Sequence, residues 1–90
     1  MLISNSEYEF RPPNDASALP ILISGLQEYS PGQSRKSNVW RLRVPELYRD
    51  KISDDTECSS YGEVSRLLAR AFFDGDELRV EPCITTKRER

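Results

Sequence analysis

In the run from Asn38 to Val44 apolar and cationic side chains alternate from Trp40 onward, and Pro45 ends the run. A strand turns neighbouring side chains to opposite faces, so Trp40, Leu42 and Val44 share one face. Val39, Arg41 and Arg43 share the other. A second strong pattern begins at Ser60, which with Glu63 has the spacing of a capping box. Val64, Leu67, Leu68, Ala71 and Phe72 follow at three- and four-residue spacing. That stripe predicts an amphipathic helix over residues 61–73, stopped at Gly75.

Elsewhere the pattern is weaker. Residues 1–16 read as irregular, with breaker residues at Arg11-Pro12-Pro13-Asn14-Asp15. Residues 17–30 carry two periods. Leu19, Leu22, Ile23, Leu26 and Tyr29 form a helical stripe, with Ser17 as its cap and Ser30-Pro31-Gly32 as its stop. Ile21, Ile23, Gly25 and Tyr29 also allow a strand, and glycine weakens a helix; the helix is the preferred expectation. Residues 32–37 read as a polar, basic linker, 46–52 as a short helix and 53–59 as a loop. Residues 77–84 predict a last strand with Leu78 and Val80 on one face, and 85–90 a frayed tail.

Ninety residues support one small domain, near the size at which a single core needs reinforcement. Two cysteines, Cys58 and Cys83, and an N-terminus without the pattern of a secretory segment make a disulfide a weak candidate. Without histidine or a close cysteine pair, zinc is not expected. The apolar runs are far too short to span a membrane. Self-association remains, so the expectation is a cytoplasmic homodimer without cofactors.

The formal net charge of −2 hides an uneven distribution. Arg35, Lys36, Arg41, Arg43 and Arg49 face only Glu46 within residues 35–49. The segments on either side are acidic, and the last four residues are mainly basic. Local sign governs the steering of a partner more than the net does.

Catalysis is not expected. Ser59 and Ser60 have no histidine to activate them. Asp54 and Asp55 sit in a polar run, Asp74, Asp76 and Glu77 lack calcium-loop spacing, and no phosphate-cradling glycine motif is present.

A basic alternating strand, Val-Pro, a short helix, a loop and a capped helix come in an order that resembles the ribbon-helix-helix (MetJ and Arc) superfamily. The resemblance rests on Trp40-Arg41-Leu42-Arg43-Val44-Pro45, on Glu46-Leu47-Tyr48 and on residues 60–72. It implies a mainly α homodimer with a short β-ribbon over 38–84, preceded by an extension and linker over 1–37. It implies a DNA-binding repressor or antitoxin-type autoregulator in which Val39, Arg41 and Arg43 contact bases in the major groove. Ser60, Tyr61 and Gly62 at the second helix's N-terminus would then hold a phosphate. In this reading Arg35 and Lys36 grip the backbone, and residues 1–34 bind a further protein or brace the dimer.

A departure from the family pattern lies in Ser53-Asp54-Asp55-Thr56-Glu57, which is acidic and lacks glycine. The alternative is a small monomeric α+β domain with Arg41 and Arg43 on a solvated face and Leu78-Arg79-Val80 paired to Leu42-Arg43-Val44. Its function would be that of a protein-interaction module, an inhibitor or adaptor of phage or plasmid type, without nucleic acid.

Overall fold

Five antiparallel strands carry the fold in the order β4-β3-β2-β1-β5. They are β1 (Leu2–Phe10), β2 (Ile21–Tyr29), β3 (Lys36–Arg43), β4 (Thr56–Cys58) and β5 (Ile84–Thr86). One helix, α1 (Tyr61–Phe72), joins β4 to the region before β5. The computed structural model describes residues 2–13, 19–29 and 36–86. The first four strands form a meander, and β5 returns to the far side of β1, where Phe10 is opposite Ile84.

Alternation decides which face each strand buries. Phe10, Ile21, Ile23, Leu42 and Val44 point to the helix side and are essentially inaccessible. There they meet Val64, Leu68, Ala69 and Phe73 of the α1 segment, with Tyr48, Ile52, Cys58 and Val80 closing the margins. Aromatic rings fill the contact between the layers. Phe10 lies 5.3 Å from Phe72 between centroids, and Tyr61 packs edge-on to Trp40 at the same distance. Burying this apolar surface is the main stabilising term, at roughly 25 cal/mol per Å².

Gly25 is opposite Trp40 in the β2–β3 register. The indole lies over the bare glycine backbone, a close approach that any side chain there would obstruct.

The capped helix starts as expected. Ser60 is the N-cap, and its Oγ accepts from the Glu63 N–H at 3.1 Å. The return arm differs from a standard capping box: the Glu63 carboxylate accepts from the Ser59 N–H at 2.8 Å and the Ser59 hydroxyl at 2.7 Å. At the far end Asp74 and Gly75 both take positive φ, and the Phe73 and Gly75 N–H groups donate to the Ala69 carbonyl.

Several expectations are corrected. The fold is not a mainly α ribbon-helix-helix but an α+β domain dominated by a five-stranded sheet. Its β3 cannot pair with a second β3, because β2 and β4 of the same chain flank it. Residues 2–10 form a strand rather than irregular chain. Within the 17–30 segment Ile21–Tyr29 form β2, since partners on both sides favour the two-residue period over the helical one, while the expected cap Ser17 and stop at Ser30 lie outside the described residues. Residues 46–48 make only a single 3-10 turn, and the expected loop contains β4. Residues 77–83 form two 3-10 turns in place of a strand. Leu78 is 87 % exposed while Val80 is fully buried, so the two do not share a face. Residue 37 lies inside β3, and β1 and β2 belong to the same sheet as β3.

Candidate interaction face of the sheet

Opposite the helix, the same alternation builds a second face from Glu7 and Glu9 of β1, Leu22, Ser24 and Leu26 of β2, Val39, Arg41 and Arg43 of β3, and Glu57 of β4. No helix among the described residues packs over it. The register sorts these side chains into cross-strand rows. One row reads Glu9–Leu22–Arg43 and the next Glu7–Ser24–Arg41–Glu57, and Leu26 lies beside Val39 beyond them. Leu22, Leu26 and Val39 are half-buried by their neighbours alone.

Both arginines are held by carboxylates of their own chain. The Arg41 Nη2 donates to Glu57 Oε2 at 2.8 Å, a bond that raises the guanidinium pKa further above its ordinary value. Arg43 reaches Asp54 and Asp55 through Nε at 3.6 and 3.5 Å, longer than an optimal hydrogen bond. Asp54 also accepts from the Val44 N–H at 2.8 Å, and that bond is the chief reason its carboxyl titrates below the ordinary range. Arg49 closes the cluster, donating from Nε to the Val44 carbonyl at 3.1 Å and lying 3.5 Å from Asp54. Exposed pairs of this kind contribute little stability each, about 0–1 kcal/mol. What they fix is the aim of the side chains.

A cavity of about 380 Å³ opens at the lower end of this face, between Leu19, Pro20, Leu22 and Pro45, with Glu9 and Arg43 at its side. Its lining is mainly apolar.

The expected base-reading set of Val39, Arg41 and Arg43 does share one face. Lys36 is in β3 with its backbone opposite Tyr29, while Arg35 lies outside the described residues. The expected phosphate cradle of Ser60, Tyr61 and Gly62 lies at the start of α1. Ser60 caps the helix, Tyr61 packs on Trp40 and Tyr8, and the Glu63 carboxylate occupies the helix N-terminus. Burial pushes the Tyr61 hydroxyl pKa up. The residues missed at sequence level are Glu7, Glu9, Leu22, Leu26 and Glu57. Glu7-Tyr8-Glu9-Phe10 alternates with the same period as 38–44, a signal that marks β1 and places both glutamates together.

Among the described residues no three potential ligands gather for a metal ion, and no helix is long and apolar enough to cross a membrane. Compared with known proteins, the chain matches no family model, no curated protein and no solved structure.

Proposed function

We propose that this chain is a small protein-interaction module, without catalysis or nucleic-acid binding, whose working surface is the face of the sheet opposite α1. One observation carries the reading. Arg41 and Arg43, with Arg11 and Arg49 at the rim, share that face with Glu7, Glu9, Asp54, Asp55 and Glu57, around the apolar positions Leu22, Leu26 and Val39. Phosphate backbones are gripped by unopposed cations, and five carboxylates repel them. Apolar centres ringed by charges of both signs suit a protein surface.

The N-terminal third, an expected partner site, supplies Glu7, Glu9, Leu22 and Leu26 to this face. The free thiols of Cys58 and Cys83 favour a reducing compartment, so we assign the module to the cytoplasm.

Titration with duplex DNA over a range of salt concentrations tests the reading. The parent protein and the Arg41→Ala/Arg43→Ala variant are expected to show the same negligible binding. Tight, salt-dependent binding that the double variant loses would establish the rival reading of a DNA-binding regulator instead.

A further inference from the structure

We infer that the partner on this face is a second copy of the chain, related by a two-fold axis running along β2 between two facing sheets. The inference rests on the reading of the face as a protein-docking surface. It comes from the order of charge across the strands. Each row reads acid, neutral, base from β1 through β2 to β3: Glu9–Leu22–Arg43 and Glu7–Ser24–Arg41.

A two-fold axis along β2 exchanges left and right while keeping each row at its own height. Glu9 then faces Arg43 of the second copy, Glu7 faces Arg41, and Leu22 and Leu26 meet their own counterparts near the axis. A single surface is therefore complementary to itself, the condition for an isologous interface. Sheets packed face to face stand about 10 Å apart with strand directions nearly aligned, a gap that facing Glu and Arg side chains span. The other in-plane axis, perpendicular to the strands, stacks β1 on β1 and β3 on β3. It sets glutamate against glutamate and arginine against arginine, so the charges select the first arrangement.

One further observation fits a covering copy. The Arg41 contact with Glu57 uses one Nη2 donor and the Arg43 contacts run through Nε, so both guanidinium groups keep donors for an incoming carboxylate.

Charge reversal in two complementary sets tests this by sedimentation. The parent protein is expected to dimerise. A Glu7→Lys/Glu9→Lys variant and an Arg41→Glu/Arg43→Glu variant should each weaken self-association about 100-fold or more, through facing like charges. Mixed in equal amounts, the two should form a heterodimer, since every reversed contact is again opposite in sign. Near-UV circular dichroism of Trp40 reports that each variant is folded. If either fails that check, Leu22→Glu replaces it, placing like charges together at the axis, and is expected to give a folded monomer. A parent protein that stays monomeric at every soluble concentration overturns the inference, as does a dimer that survives all these substitutions. Either result leaves the docking-surface reading standing unless DNA binding is also found.

Discussion

Trp40 rests directly on Gly25: a Cβ at that glycine would lie 3.0 Å from two carbons of the indole ring. Contacts that short force either the ring or the strand to move. Gly25→Ala is expected to cost about 1–3 kcal/mol by the overpacking it creates. The midpoint of urea denaturation measures it, and a shift in the near-UV signal of Trp40 identifies the ring as the part that moves. An unchanged midpoint would mean that β2 and β3 yield there at no cost.

The first turn of α1 makes a second expectation. Ser60→Ala removes the acceptor for the Glu63 N–H and should destabilise by about 1 kcal/mol, within the range of 0.5–2 for N-cap losses. Replacement by Asp or Thr should restore most of that loss, which separates capping from any general intolerance at the position.

Acid pH should weaken the fold through two carboxylates. Glu63 titrates below its ordinary value because it accepts from the Ser59 hydroxyl and N–H, and Asp54 does so chiefly because it accepts from the Val44 N–H. A carboxylate with a lowered folded pKa contributes stability above its unfolded pKa and loses it as pH falls through the folded value. Stability should therefore be flat around neutrality and decline on the acid side of the ordinary carboxylate range. Glu63→Gln, which removes one titrating group, should make that decline shallower in urea titrations at stepped pH.

The two thiols should differ. Cys58 is 5 % exposed in the core, and burial pushes its thiol pKa up. Cys83 is half-buried at the end of the second 3-10 turn, with its sulfur 3.6 Å from the Arg79 carbonyl. A thiol reagent at neutral pH is expected to label Cys83 at least about tenfold faster, because Cys58 is buried in the core, which both restricts access and disfavours its own thiolate. In denaturant the two rates should converge. Equal rates in the folded protein would argue that the β4 edge opens freely.

Leu78 and Val80 give the sharpest contrast for substitution. Leu78→Ser should change stability by no more than about 0.5 kcal/mol, as expected of an exposed position. Val80→Ala should cost about 1–3 kcal/mol through the cavity it leaves. Matched losses would restore the strand that alternation suggested.

That pair also shows how far the sequence could be read. Leu78 and Val80 have strand spacing, yet Asp76 caps a 3-10 turn by accepting from the Leu78 N–H, and Pro82 has no N–H to offer a ladder. Those two residues outweigh the spacing and were visible in advance. The strand at 38–44 and the helix at 61–73 were legible because each carries one unambiguous period and, for the helix, a local cap. Residues 17–30 were not, because both periods coexist there and the choice is made by pairing with β1 and β3, which no pattern within the segment itself reveals. Nor was β4, whose Thr56-Glu57-Cys58 is a strand only by virtue of lying against Trp40, Arg41 and Leu42.

The same limit applies to the face. Its cations lie on one contiguous strand and were found. The glutamates that balance them come from β1 and β4, so the sign of the face as a whole emerges only once the strands are ordered.

The pairing of Phe10 with Ile84 has a consequence for how the chain reaches this state. The β1–β2–β3–β4 meander links neighbours in sequence and can form early, whereas the β1–β5 contact joins strands far apart in sequence and carries a larger loop-closure cost. During synthesis on the ribosome β1 is made well before its outer neighbour β5. The nascent meander thus exposes the outer edge of β1 until β5 emerges, and rapid capture of that edge by β5 is the step that ends its exposure to other chains.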